Sequence, residues 1–295
     1  MTRTRDYLEL HFIVLLWGFT AVLGKLITIP PVELVFYRVL LSSVLLAIWL
    51  GWKKESFRVQ GSTLWQLLGN GVLIAGHWVT FFASARVSNV SISLAGFATI
   101  ALWTSLLEPL ILKRRFRWYE FLLGLVIIAG LYIIFRFQID HAWGLCLGII
   151  SAFLGALFTV FNGKFTRKHH HFTITLYEMI GATLGIALVF PWYALQNPEG
   201  LQLTPTSLDW VYILILALVC TVYAYSISVE LMKRLSAFAI NLTVNLEPVY
   251  GIILALIILG DSERMTTDFY IGTLVILGAV LAYPFFDRAR PVLSG

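Results

Sequence analysis

The chain has 295 residues, of which 59% are hydrophobic and 13% charged, and its formal net charge is +5. A water-soluble surface needs a larger share of charged residues, so this composition excludes a soluble globular protein and indicates a protein of the lipid bilayer. The basic residues lie in short links between apolar segments, where they report topology. They do not predict a nucleic-acid partner.

Ten apolar segments follow one another, each close to the roughly 20 residues that a helix needs to cross a bilayer. We number them spans 1 to 10; they cover residues 7–26, 32–52, 63–85, 90–112, 118–135, 142–163, 172–195, 210–232, 236–259 and 269–286. Only short polar links separate them, which leaves no room for a soluble domain. The sequence therefore predicts an all-α integral membrane protein with ten transmembrane helices.

Positive charge is concentrated in alternate links. The basic links lie at residues 3–5, 53–58, 113–117, 164–168, 233–234 and 288–290, whereas the opposite links hold Arg86, Arg136 and Arg264. The positive-inside rule then puts both termini in the cytoplasm. We expect a multi-pass protein of the bacterial inner membrane.

The two halves of the chain resemble each other. A shift of 139 residues places Phe19-Thr20 on Phe158-Thr159. A shift of 148 residues aligns Arg86, Ser88, Leu94, Gly124, Ile128 and Gly130 with Arg234, Ser236, Leu242, Gly272, Ile276 and Gly278. These matches predict two repeats, residues 1–138 and 139–295. Because each repeat has an odd number of spans, the second enters the bilayer from the opposite face, as in many secondary transporters. The alternative is that shared Gly and Leu reflect membrane composition alone.

Several short motifs lie in a recognisable order along the ten spans. They are Trp17-Gly18, Arg38, Leu246-Glu247-Pro248, Gly260-Asp261, Gly272 and Gly278. In this order they resemble the ten-helix EamA-type exporters of the drug/metabolite transporter superfamily. The resemblance implies export of amino acids, metabolites or drugs through a central cavity between the halves. Two features depart from it: Asp261 stands where Glu is common, and Thr99-Ile100 occupies the span 4 place that matches Glu247-Pro248.

Glu247 is the strongest candidate for a functional side chain. It lies roughly 18 Å into span 9 at about 1.5 Å per residue, near the middle of the bilayer, where an ionisable group is costly unless it is paired or wetted. On a continuous helix, Thr243 and Tyr250 share its face, whereas Asn241 and Asn245 point away. We expect Glu247 to bind substrate or a proton; the alternative is a purely structural buried glutamate.

Aromatic residues deep in the spans are candidates for the wall of a substrate site. Trp17, His77, Trp78, Trp103 and Tyr223 lie too deep for the interfacial aromatic belt. Aromatic faces suit amphipathic ligands and attract ammonium groups. Each of these residues is also compatible with simple packing.

Arg38 and Glu178 carry opposite charges at matching depths of the two halves, 140 residues apart. They predict either gating charges or an anchor for an anionic substrate group. The structural alternative is that they snorkel or pair locally, for instance with Glu33.

Competing functions leave no signature in the sequence. We find no metal-binding or catalytic motif that would indicate an embedded enzyme, and no filter-like loop typical of a channel. Cys146 and Cys220 lie inside spans, which predicts neither a disulfide nor a metal site, and no cofactor is expected. The sequence thus favours a secondary active transporter of amino acids or amines, with protons as a candidate coupling ion. A passive facilitator, a channel or a membrane-embedded enzyme is the alternative, and the oligomeric state stays open.

Overall fold

Ten helical spans make up the described part of the chain, as the sequence predicts. The computed structural model describes residues 4–136, 141–260 and 266–288, and all regular structure within them is helical. Asp261 and Arg264 lie outside the described residues. Seven spans are uninterrupted helices: Thr4–Leu26, Pro31–Lys53, Gly61–Val87, Trp118–Arg136, Ala142–Phe165, His171–Gln196 and Thr267–Arg288.

The outer surface of the bundle is apolar. Leu188, Leu195 and Ile257 are each more than 70% exposed, as residues that face lipid should be. Inside each helix the backbone amides bond to carbonyls of the same helix, so the hydrocarbon meets few unsatisfied polar groups. The helices and this surface confirm a multi-pass membrane protein.

Span 3 is central to the packing. It lies against spans 6 and 7. Span 7 also packs against span 2, and span 6 also packs against span 4. Span 1 packs against span 9, and span 5 packs against span 10. Spans 1, 2, 3, 4, 6, 8 and 9 surround a cavity in the middle of the bundle.

Spans 4 and 9 are interrupted in the same way. Span 4 consists of Val90–Phe97 and Ile100–Leu112, and span 9 of Ala237–Val244 and Glu247–Leu259. In both, the first helix has 8 residues and the second 13. The side chains of Asn89 and Ser236 cap the two first helices at equivalent positions. When the two spans are aligned on these caps, Glu247 is equivalent to Ile100. The sequence instead pairs Glu247 with Thr99, one residue earlier. The inverted orientation of the halves stays a prediction.

Span 8 contains a second kind of irregularity. Its α-helical parts are Ser207–Ile215 and Ala224–Leu231, and between them Leu216–Tyr223 forms a π-helix. Short π-helical segments inside α-helices are frequent at functional sites. The π-helix lies against span 2, which carries Arg38.

The close approach of spans 3 and 7 depends on glycine. A Cβ added to Gly71 would overlap the backbone oxygen of Glu178, and one added to Gly181 would lie 2.6 Å from Leu68 Cα. Small residues that let backbones meet are a common basis of helix association in membranes. This contact brings Glu178 against span 3.

We predict that Gly71→Ala destabilises the protein by about 1–3 kcal/mol, because the added methyl group forces the two helices apart. Gly69→Ala is the matched control, since a Cβ there has no atom within 4 Å. Thermal unfolding of the purified variants in detergent should show a lower midpoint for Gly71→Ala alone. Equal midpoints would mean that spans 3 and 7 do not meet as described.

Candidate functional site

The cavity between the spans is the candidate functional site. The cavity volume is about 60 Å³, whereas one water needs about 10–15 Å³. In this conformation the cavity is narrow, and a ligand larger than a few water molecules has to widen it by moving side chains or spans.

The cavity extends toward one end of the bundle. Its lining reaches Met232 at the end of span 8 and Ile240 near the start of span 9. Hydrogen bonds between spans close the opposite end of the bundle. There the Asp209 carboxylate accepts hydrogen bonds from the backbone N and the hydroxyl of Thr28, at 2.8 and 2.6 Å.

Lys25 and Arg86 reinforce that closed end. Each of them caps the carbonyl end of the helix that carries the other. Lys25, at the end of span 1, donates to the carbonyl of Ala85 in span 3 at 2.9 Å. Arg86, at the end of span 3, donates to the carbonyls of Ile27 and Ile29 after span 1. Each cation thus lies at the carbonyl end of the other helix, where positive charge is favourable.

Arg38 reaches the cavity from span 2 and is 1% exposed. Its guanidinium carbon lies 3.8 Å from the centre of the Trp78 ring, a cation–π contact. Its Nε donates to the Thr221 hydroxyl at 2.8 Å, and that hydroxyl donates to the Leu216 carbonyl of the π-helix. Among the described residues, Thr221 is the hydrogen-bond partner of the Arg38 guanidinium, through Nε. The sequence predicts Arg38 as a site residue, but not its contact with a π-helix.

Glu247 faces the same cavity from span 9 and is 4% exposed. It is the first residue of the second helix of that span. Within the described part of the chain its carboxylate has neither a hydrogen bond nor a direct ion pair, although it interacts electrostatically with Arg38 across the cavity. A carboxylate and a guanidinium therefore share one enclosed space without bonding to each other.

The interruption of span 9 decides which residues accompany Glu247. The amides of Asn245 and Leu246 donate three residues back, to Leu242 and Thr243, as in a 3₁₀ turn. With three residues per turn, positions 241, 244 and 247 stand above one another. Asn241 and Val244 accordingly line the cavity with Glu247.

Aromatic side chains form much of the remaining wall. Trp17, His77 and Trp78 line the cavity, as the sequence predicts for them. His77 is held by the Ser151 hydroxyl, 2.8 Å from Nδ1. The Trp17 indole donates to the Cys220 carbonyl in the π-helix at 3.0 Å.

Four predicted lining residues lie elsewhere. Trp103 packs on Phe153 of span 6. Tyr250 packs against Gly18 of span 1. Thr243 donates to the carbonyl one turn back in its own helix. Tyr223 is 43% exposed on the outer surface. Thr243 is displaced because the 3₁₀ turn that follows it changes the number of residues per turn, which rotates the face that the sequence predicts for Glu247. The sequence predicts Tyr223 from its depth alone, and depth does not determine which side of a helix faces a cavity.

Glu178 lies behind the cavity wall and not in it. It is fully buried and accepts hydrogen bonds from Asn70 at 2.6 Å and from the Tyr225 hydroxyl at 2.9 Å. Arg38 and Glu178 thus have different surroundings despite their matching positions. Among the described residues no group of three or more His, Cys, Asp or Glu side chains could hold a metal ion.

Comparison with known proteins identifies the family. The model of the EamA-like transporter family matches the chain twice, over residues 9–136 and 142–283. The chain belongs to the EamA-like transporter family. This confirms the resemblance on which the sequence analysis relied, and the EamA-like protein described here is a membrane transporter.

A relative and a solved structure agree with this assignment. An uncharacterized transporter of Archaeoglobus fulgidus is 25% identical over 284 residues, which cover 94% of this chain and 96% of that protein. A protein of known crystal structure has a TM-score of 0.71 and 16% sequence identity, over 97% of this chain and 99% of that one. The second likeness concerns the fold alone.

Sequence reasoning missed several lining residues of this EamA-like transporter. Thr20 and Thr159 both line the cavity, and the shift of 139 residues had already paired them, so that repeat was a usable signal. Tyr225 also lines the cavity, and no sequence signal identified it, because its position depends on the π-helix that precedes it.

We predict that Val244→Cys reacts with a small water-soluble methanethiosulfonate reagent several times faster than Thr243→Cys. The 3₁₀ turn places Val244 on the cavity wall and turns Thr243 away from it. The background should have Cys146 and Cys220 replaced by alanine, and labelling should be followed by mass spectrometry. The reverse order of reactivity would indicate a continuous α-helix through residues 244–247.

Proposed function

We propose that this protein is a secondary active transporter that exports small zwitterionic metabolites, amino acids above all, by alternating access. The observation that carries the proposal is the pair of unbonded opposite charges on one cavity. Arg38 and Glu247 are both buried at membrane depth, yet within the described residues the Arg38 guanidinium bonds through Nε to Thr221 and the Glu247 carboxylate accepts no hydrogen bond. Such charges are costly in a bilayer, so a ligand, water or a proton has to compensate them.

The geometry around Arg38 suits a carboxylate. Trp78 covers one face of the guanidinium, and Thr221 holds Nε. The donors left free lie at the edge of the guanidinium plane, where a carboxylate accepts two parallel hydrogen bonds. Lysine in place of Arg38 would lack this fork, so the arrangement favours a planar anionic group over a point charge.

Glu247 supplies the complementary half of a zwitterion site. Its carboxylate can accept hydrogen bonds from a substrate ammonium group, and the nearby indole of Trp17 adds a cation–π surface. Phe81, Phe97 and Phe158 form an apolar wall that suits an aliphatic or aromatic side chain. An α-amino acid with such a side chain satisfies all three parts of the cavity.

The conformation fits the loading step of an exporter. The cavity extends toward Met232, at the end of the bundle that the charge pattern assigns to the cytoplasm. The other end is closed by Asp209, Arg86 and Lys25. With both termini cytoplasmic in a bacterial inner membrane, substrate enters from the cytoplasm and leaves after these bonds break. The two matches of the family model support related halves that exchange roles in this cycle.

Glu247 is also the candidate coupling group. Coupling requires that the inward-open and outward-open conformations bind the proton with different affinity. An ammonium group of the substrate and a proton compete for the same carboxylate, so loading one releases the other. Proton entry would then drive substrate exit.

We predict that amino acids with apolar or aromatic side chains raise the thermal unfolding midpoint of the purified protein. A ligand at 100 times its Kd adds about 2.7 kcal/mol of stability. N-acetylated and esterified forms of the same amino acids, which lack one charge, should give no shift. Arg38→Gln and Glu247→Gln should reduce the shift strongly, whereas Glu199→Gln, a change in an exposed loop, should retain it. Stabilisation by sugars or dicarboxylates instead would refute the zwitterion site.

We further predict that Glu247→Gln abolishes the pH dependence of transport in proteoliposomes. Glutamine keeps the size and hydrogen-bonding capacity of the side chain but cannot exchange a proton. The variant should remain folded and monodisperse, and Glu199→Gln again serves as the matched control. Transport with unchanged rate and pH profile would assign Glu247 to structure and favour a passive facilitator.

A further inference from the structure

A second polar cluster lies where spans 3, 6, 7 and 8 meet. It consists of Asn70, Asn162, Glu178 and Tyr225, one residue from each span, and we call it the Glu178 cluster. All four side chains are at most 4% exposed. Asn70 donates to Glu178 at 2.6 Å and to the Asn162 side-chain oxygen at 3.1 Å. Asn162 donates to the Tyr225 hydroxyl at 2.7 Å, and Tyr225 donates to Glu178 at 2.9 Å.

Tyr225 connects this cluster to the cavity. Its side chain lines the cavity and meets the Trp78 ring edge-on, with centroids 6.1 Å apart. Its hydroxyl belongs to the Glu178 cluster. The Tyr225 side chain therefore contacts both the cavity and the Glu178 carboxyl group, which does not itself line the cavity.

No charged group compensates Glu178. On the packed spans, Arg38 of span 2 contacts Trp78 and Thr221, and His77 of span 3 contacts Ser151. Apart from tyrosines and cysteines, the further ionisable groups of these spans lie toward their ends: Glu33, Lys53, Arg86, Lys164, His171, Asp209 and Glu230. In the described part of the chain none of these groups forms an ion pair or hydrogen bond with Glu178, and Tyr225 is the titratable group in contact with it.

The ligand that suits the cluster is a proton. A sodium ion would need several oxygen atoms arranged around an ion-sized space. Here the polar atoms already lie at hydrogen-bonding distance from one another. A proton needs no extra space, and it neutralises a carboxylate that four helices hold away from water.

We propose that the Glu178 cluster is a second proton-binding site, distinct from Glu247, and that Tyr225 loads it from the cavity. A hydronium ion in the cavity gives its proton to the Tyr225 oxygen while the Tyr225 hydroxyl proton passes to Glu178. The products are water, an unchanged tyrosine and a neutral Glu178 carboxyl. Because Glu178 bonds to spans 3 and 8, its charge alters the packing of the spans that move in alternating access. That consequence rests on the proposed function, whereas the proton site itself does not.

The experiment is infrared difference spectroscopy of the purified full-length protein in lipid, between acidic and alkaline pH. Because Glu247 can also hold a proton, the comparison is made in the Glu247→Gln background. The C=O stretch of a buried protonated carboxyl group should appear in the wild type, persist in Glu247→Gln and be lost when Glu178→Gln is added to Glu247→Gln. Tyr225→Phe should keep the band but slow its appearance after a pH jump by roughly 100-fold, in the range of a positioned proton-transfer group. Tyr212→Phe, a change in the outer part of span 8, is the matched control and should leave the rate unchanged.

Three results would overturn the proposal. The first is a band that survives in the double variant Glu247→Gln/Glu178→Gln, and the second is an unchanged pH-jump rate in Tyr225→Phe, which decides the matter if the double variant does not fold. The third is that sodium, but not potassium, stabilises the wild type and that Glu178→Gln loses this stabilisation. The cluster would then be a sodium site. A persistent band in Glu247→Gln together with unaltered transport would refute the coupling role of Glu247 and leave this site standing.

Discussion

The hydrocarbon interior of the bilayer offers no hydrogen-bonding partner, and this constraint determines where the chain carries polar side chains and irregular backbone. Spans 4, 8 and 9 depart from α-helical geometry, and each of them lines the cavity. Some of the carbonyls in the π-helix find partners there: the Trp17 indole bonds to Cys220, and the Thr221 hydroxyl bonds to Leu216. Irregular backbone and candidate site coincide because a polar cavity tolerates both.

Three buried ionisable groups meet the same constraint in different ways. Glu178 is surrounded by donors from neighbouring helices. Among the described residues, Arg38 is held by a π face and one hydroxyl, and Glu247 interacts electrostatically with Arg38 without bonding to it. Chemically similar groups acquire different roles from such differences in environment. The bonded carboxyl suits proton storage, and the two partly unsatisfied charges suit a ligand.

The two halves contribute matching positions to the cavity, but not matching chemistry. Thr20 and Thr159 occupy equivalent positions of the two halves, as do Ile100 and Glu247. All four residues line the cavity. A shared framework thus carries a carboxylate on one side and an aliphatic side chain on the other. This asymmetry gives the cavity one charged pole opposite Arg38, which supports a single oriented ligand over two equivalent ones.

Sequence alone determined the ten spans, the family and the two charges that face the cavity, because these depend on local composition, length and depth. Arg38 and Glu247 can be recognised in the sequence because each is a charged residue inside an apolar run. Only the tertiary structure decided which neighbours share the cavity with Glu247, since the 3₁₀ turn of span 9 and the π-helix of span 8 rotate the faces that a regular helix predicts. The place of Tyr225 and the cluster around Glu178 depend further on spans 3 and 7 meeting at Gly71. Such contacts join residues far apart in the chain, and periodicity within one helix carries no information about them.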